Sequence, residues 1–259
     1  RVSYVTNRNF ATDADIISGS YYTYDVHGNV DTLVQDYAGI AALNNSGQRF
    51  KTIAYDYDLL SGKVNEVSYE PGKNDAFYHH YYYDAGNRIT SVTTSRDKIV
   101  WDRDAKYSYY KHGPLARTEL GQLRVQGMDY AYTTQGWLKG VNSTNLLQAN
   151  DIGLDGTFNS SVAKDALGFA LHYFDTQQNG KSYVDYTSIG SLNSFAKPVA
   201  SMNMMSLFNG NIAGMTVNNS GLQLNNNAAQ ADAGKPLFYN YGYDQLNRIK
   251  SLQVHKNLD

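Results

Sequence analysis

The sequence predicts an all-β fold of stacked antiparallel β-hairpins, and three observations predict it. First, a Tyr-x-Tyr pair followed by a turn residue and a resumed apolar pattern recurs six times. The second Tyr stands at 24, 57, 83, 109, 132 and 243. Second, the first five of these positions are 33, 26, 26 and 23 residues apart. That spacing holds two strands of ordinary length with their turns, and repetition at such a period marks a stacked architecture. Third, the 259 residues include 23 Tyr against 9 Phe and 2 Trp. Tyr joins strand propensity to an apolar ring with a polar tip, which suits broad, half-wet sheet surfaces.

The stretch Tyr81–Val92, YYYDAGNRITSV, sets the template. Tyr81 and Tyr83 share one strand face, because side chains alternate with a period of two. Asp84 can accept hydrogen bonds from the turn's amides, and Asn87 tolerates a left-handed backbone. Tyr241, Tyr243, Asp244 and Asn247 repeat this arrangement, and the other copies begin at Tyr22/Tyr24, Tyr55/Tyr57, Tyr107/Tyr109 and Tyr130/Tyr132. Counted from the second Tyr, Gly28, Asn87, Gly113, Gly136 and Asn247 stand at the fourth position, while Gly62 comes one residue late. Two residues past each turn residue lies an apolar one: Val30, Val64, Ile89, Leu115, Leu138 and Ile249. Three further on come Leu33, Val67, Val92, Val141 and Leu252, with Thr118 breaking the column. A step of three does not conserve strand parity, so a bulge or turn residue is expected between the two columns.

In chain order, 1–17 alternates weakly and reads as the end of an earlier hairpin; 18–34 is the first unit. Ala38 to Gln48, with Asn44-Asn45-Ser46-Gly47, reads as a loop between strands. Units follow at 51–69, 76–94, 101–120 and 125–142, with a turn at Glu70-Pro71-Gly72. The segment 143–165, poor in apolar pattern, predicts a long loop inside a single repeat region covering 1–259. Strands are expected over 165–175 and 181–186, strand and turn around 208–214, and a polar turn and loop over 218–234. The chain opens within strand-like sequence and stops soon after a unit, so it reads as part of a longer protein.

These motifs resemble the YD repeat, Y-x-Y-D-x-x-G/N-R-L, of the RHS/YD-repeat family, which includes bacterial RHS polymorphic toxins, the C component of insecticidal toxin complexes and the teneurins. Tyr81–Ile89 and Tyr241–Ile249 match it closely; YYKHGPLARTEL from Tyr109, YAYTTQGWLKGVN from Tyr130 and FNGNIAGM from Phe208 resemble a variant in large Bacteroidetes proteins. The resemblance implies a curved sheet spiralling into a hollow shell around a C-terminal toxin or other cargo. It implies a secreted or cell-surface location, with the remaining repeats of the same protein as partners. The alternative it leaves is a surface adhesion module binding glycans or a receptor. The family's self-cleavage motif finds no counterpart here, so self-cleavage is not assigned.

Composition narrows the chemistry. The net charge of −2, with no basic block, gives no footprint for nucleic acid or for an anionic membrane surface, and no apolar run reaches membrane-spanning length. Cysteine is absent, which removes disulfides, thiolate metal sites and a Cys nucleophile. No nucleophile-elbow, P-loop, zinc-protease or dinucleotide motif occurs. His79 and His80 are adjacent, so on a strand they point to opposite faces and do not share a metal. DIGLDG at 151–156 begins like a calcium loop, but Gly153 and Val162 stand where two major ligands belong, so a plain turn is favoured. Asp25, Asp58, Asp84 and Asp244 recur at four of the six copies of the turn, whereas a glycosidase pair is built once; they read as caps. The expectation is a non-enzymatic structural segment without metal or cofactor.

Overall fold

The computed structural model describes residues 1–9, 15–146, 148–179, 181–188, 194–219, 235–256 and 258. The fold is all-β and antiparallel, with one short helix among the described residues. The chain divides into two compact units, 1–106 and 107–259.

The first unit contains β1 (Tyr4–Arg8), β2 (Ile16–Tyr24), β3 (Val30–Asp36), β4 (Phe50–Tyr57), β5 (Val64–Tyr69), β6 (Phe77–Tyr83), β7 (Ile89–Ser95) and most of β8 (Asp102–Tyr109). Each strand pairs antiparallel with the next in sequence. Most strand residues are half-buried, and the fully buried apolar ones here are few: Ala76, Tyr78 and Ala105. Expected as a loop, residues 38–48 instead hold the helix α1 (Ala41–Asn45), which has no side-chain N-cap and no buried residue. So short a helix cannot stabilise itself; it is held by its neighbours, as where the Asn44 side-chain amide donates to the Ala38 carbonyl at 2.7 Å.

The second unit contains β9 (Leu115–Leu120), β10 (Gln126–Tyr132), β11 (Leu138–Val141), β12 (Leu167–His172), β15 (Gly214–Asn219), β16 (Leu237–Tyr243) and β17 (Ile249–His255), paired in that order, with β13 (Asp175–Gln178) and β14 (Lys181–Val184) forming a separate two-stranded ribbon. Among the described residues, 142–166 carry no strand and only a single 3-10 turn, Gln148–Asn150. A local core of Ala131, Ala170 and Phe195 gathers here, with Ile152 and Tyr186 packed on it. Around 208–214 the expected turn is present, with Gly210 at a φ of 87°, and the strand begins only at its end, β15 starting at Gly214; upstream, a 3-10 turn spans Ala200–Met202 and Asn203 adopts a left-handed backbone. The polar turn and loop expected over 218–234 falls, beyond Asn219, outside the described residues.

The parity break between the apolar columns is a bulge. Tyr83 faces Ile89 and Tyr81 faces Val92, with the register shifting between Tyr82 and Tyr83 so that Thr90 is the extra residue. The same shift appears at Tyr24/Val30, Tyr57/Val64, Tyr132/Leu138 and Tyr243/Ile249. Each Tyr pair therefore lies directly opposite its two apolar residues, cross-strand contacts that contribute about 0.2–1 kcal/mol each.

Candidate functional site

The turns carry the first recurring device. The amide after the second Tyr donates across the turn, from Asp25 to the Asn29 carbonyl, Asp84 to Arg88, Tyr110 to Pro114, Thr133 to Trp137 and Asp244 to Arg248. The return bond comes from the residue with positive φ: Asn87 at 60° and Asn247 at 59° donate to the carbonyls of Asp84 and Asp244. Gly28, Gly113 and Gly136 hold the equivalent place, and Gly62, one residue later, closes a wider turn on Asp58. Asp84 Oδ1 accepts from the amides of Gly86 and Arg88 at 2.8 and 3.0 Å, and Oδ2 from Arg88 Nε at 2.8 Å. Asp244 repeats this with Leu246 and Arg248. The Arg88 amide, then its guanidinium, holds the Asp84 carboxyl below the usual carboxylate range. With both oxygens occupied, these carboxylates are caps.

A second device links one hairpin to the next. Tyr83 Oη donates to the Val64 carbonyl at 2.7 Å, Tyr57 Oη to Val30 at 2.9 Å, and Tyr24 Oη to Val2 at 2.6 Å. Since Val64 lies opposite Tyr57 and Val30 opposite Tyr24, the clasps chain together: each second Tyr grips the carbonyl of the residue facing the second Tyr of the preceding hairpin. In the second unit, Tyr243 Oη reaches Ile212 and Tyr173 Oη reaches Leu138, both at 2.8 Å. Tyr110 Oη reaches the other way, donating to the Tyr130 carbonyl of the following hairpin at 2.7 Å. Burial raises the hydroxyl pKa of Tyr57, Tyr83, Tyr173 and Tyr243, so each stays a donor at neutral pH.

Tyr173 completes a repeat of which the sequence revealed only the second half, FNGNIAGM from Phe208. Leu171 faces Met215 and His172 faces Gly214, the Ala213 amide donates to the His172 carbonyl, and Gly210 has φ of 87°. These place Tyr173, Gly210, Ile212 and Met215 where Tyr83, Asn87, Ile89 and Val92 stand in the template. β12 and β15 thus form another copy of the hairpin, its turn expanded by residues 174–209, which carry β13 and β14.

The expansion closes a small pocket of about 140 Å³ lined by Lys139, His172, Phe174, Asp185, Phe195 and others. Lys139, the bulge residue of its hairpin, is 4% exposed. Its ammonium donates to both Asp185 oxygens at 3.0 and 3.1 Å and lies 3.3 Å from His172 Nδ1. Burial lowers the Lys139 pKa, with Asp185 opposing, and keeps His172 well below the ordinary histidine range, with Lys139 adding to the effect. His172 Nε2 meets Thr216 Oγ1 at 2.8 Å, and the Tyr173 amide donates to Asp185 at 2.8 Å. The ammonium is fully engaged, and the network fastens the expansion to the sheet. His79 and His80 do face opposite ways: His79 packs between Phe77 and Tyr81, His80 against Tyr82 and Trp101.

A third cluster joins the 142–166 segment to β9 and β10. Asp129, Asp151 and Asp155 each bring a carboxylate oxygen within 4.8 Å of the others. Arg117 pairs with Asp129 and with Asp155, and the Asp155 amide donates to Asp151 Oδ2 at 2.6 Å. Burial pushes Asp129 up to about 6 against the pull of Arg117. Burial first, then a hydrogen bond with Asp151, pushes Asp165 up to about 8. Gly127 and Gly153 flank the cluster, where a Cβ would collide with Asp155, Asp129 and Arg117.

Among the described residues, no helix is long and apolar enough to cross a membrane. No family model and no curated protein matches the chain. Solved structures do: the crystal structure of TcdB2-TccC3-Cdc42 (10% identity, TM-score 0.46, covering 100% of this chain and 13% of that one) and that of TcdB2-TccC3 (12%, 0.47, 99% and 13%). The Photorhabdus luminescens Tc holotoxin pore is also similar (10%, 0.45, 99% and 12%). This chain spans 12–13% of the length of these proteins, to which it is similar from end to end.

Proposed function

We propose that this chain is a structural, non-catalytic strip of an RHS/YD-type shell wall, which with the remaining repeats of its parent protein encloses a C-terminal toxin or other cargo in a secreted or cell-surface particle. The observation that carries this reading is the chained clasp. A turn that is capped within itself, and a Tyr that grips the preceding hairpin, let hairpins be added one after another at constant spacing, as a wall requires. The recurrent Asp residues are consumed as caps, which supports a role without catalysis. The test is solution scattering and electron microscopy of the full-length parent, with limited proteolysis of its C-terminal region. A hollow particle whose C-terminal segment resists protease until the shell is denatured is expected. A solid particle with an equally digestible C-terminal segment overturns the reading.

A further inference from the structure

We propose that Asp129, Asp151, Asp155 and Asp165 form a buried calcium site that fastens the 142–166 segment to β9 and β10. Three of these carboxylates, those of Asp129, Asp151 and Asp155, meet within 4.8 Å, and Arg117 pairs with two of them, Asp129 and Asp155. Asp151, Asp155 and Asp165 are 4%, 1% and 5% exposed, so solvent does little to offset their charge. Buried carboxylates without compensating charge are strongly destabilising, even after relaxation.

The second observation is separate from the acidic trio. Asp165 comes from the far end of the segment, and its carboxyl lies within hydrogen-bonding reach of Asp151. Its Oδ1 accepts from Gln126 Nε2 at 2.7 Å, but among the described residues its buried Oδ2 has no donor, nor has Asp151 Oδ1 or Asp155 Oδ2. A proton shared between Asp151 and Asp165 would satisfy two of these oxygens and leave Asp155 Oδ2 orphaned in a buried place, which is itself costly. A divalent cation compensates two charges and can take oxygens from all of them. All the ligand atoms are carboxylate oxygens, the hard donors that calcium prefers, and an irregular loop suits calcium's flexible coordination better than magnesium's strict octahedron. Sequence spacing hid the site, because only Asp151 and Asp155 lie in the loop motif.

The experiment is calorimetric titration and thermal unfolding of the chelator-treated chain with added calcium chloride, for the parent and for Asp155→Asn and Asp165→Asn. Asp155→Asn removes an Arg117 partner and can unfold the segment. Asp165→Asn keeps an acceptor for Gln126 and is expected to retain the parent's circular dichroism. A saturable binding heat is expected, with Tm rising by about 3–5 °C when calcium is tenfold above its dissociation constant. In folded Asp165→Asn, affinity falls at least tenfold. No heat and no Tm shift up to about 10 mM calcium overturns the site, and so does a response unchanged in both variants. A Tm–pH profile that is identical with and without calcium also overturns it and assigns the cluster to a shared proton.

Discussion

Tyr83→Phe isolates the clasp between hairpins. The substitution keeps the ring opposite Ile89 and deletes one hydroxyl whose hydrogen bond to the Val64 carbonyl is 2.7 Å long. A neutral hydrogen bond of this kind contributes about 0.5–1.5 kcal/mol net, so the first unit is expected to lose about 1 kcal/mol. Tyr57→Phe should cost a similar amount, because its hydroxyl makes the equivalent bond to Val30. The two sites are not independent: the carbonyl that Tyr83 grips belongs to Val64, which lies opposite Tyr57. A double-mutant cycle is therefore expected to show a coupling of about 0.5 kcal/mol or more, beyond the scatter for separated sites. The assay is urea unfolding followed by circular dichroism, with Tyr82→Phe as control. Tyr82 shares the strand and the chemistry but is 48% exposed, and its loss should cost next to nothing. The reasoning fails if Tyr83→Phe matches the control, or if the cycle shows strict additivity.

Other substitutions test the turns, the pocket and the ends. Asn87→Gly should be tolerated and Asn87→Val should destabilise, since φ is 60° there and a β-branched residue is strained in that region; equal melting temperatures would show the turn assignment wrong. Lys139→Ala should cost about 3–5 kcal/mol in urea unfolding, by leaving the Asp185 charge buried without its partner, and adding Asp185→Asn should restore part of that. The turn caps and the clasps should each set one limb of the pH profile. The depressed pKa of Asp84 and Asp244 contributes stability present above about 4 and lost as pH falls through the folded value. The raised pKa of Tyr57 and Tyr83 contributes stability present below about 10 and lost as pH rises through theirs; a pH–Tm profile reads both limbs. The isolated segment should self-associate in a light-scattering concentration series, because strands at the margin of an excised sheet offer unpaired backbone groups to other chains; strict monomer behaviour would count against the wall reading.

The hairpins were legible because their signal is local. Tyr pair, cap, positive-φ residue and the two apolar columns fall within a dozen residues, and the three-residue step announced the bulge. The β12–β15 hairpin was hidden because its halves are far apart: His172-Tyr173-Phe174 read only as a strand, and Asn209-Gly210-Asn211-Ile212 only as a turn variant. Joining them requires knowing that the turn can be expanded. The helix α1 was missed because nothing in Ala41–Asn45 supplies a cap or an apolar stripe. The carboxylate cluster was missed for a different reason. Arg117 and Asp129 come from neighbouring strands and the other three Asp from a segment without periodicity, so only the tertiary fold brings them together.

The expanded hairpin also shows where this architecture can take on new parts. In the template the turn fixes the register of the returning strand, so lengthening the turn should free that strand to slip, and a one-residue slip would turn every side chain to the wrong face. Yet β15 returns in the parent register after residues 174–209. Loop closure itself resists little, since its cost grows only with the logarithm of length. What restores the register is the pair of clasps on either side: Tyr173 grips Leu138 of the preceding hairpin, and Ile212 is gripped by Tyr243 of the next. The bulge at Ala213 is fixed by the hydrogen bond its amide donates to the His172 carbonyl, and Lys139 and Asp185 then tie the inserted residues down to the sheet. Register in this chain is therefore held between hairpins as well as within them. A turn can accept an insertion wherever both neighbouring clasps survive, and Tyr173→Phe should weaken the β12–β15 pairing more than Tyr83→Phe weakens β6–β7, because only the former has lost the support of a short turn. Hydrogen exchange of the β12 and β15 amides, compared with those of β6 and β7 in the two variants, measures that difference; equal loss of protection would mean that the inserted residues set the register by themselves.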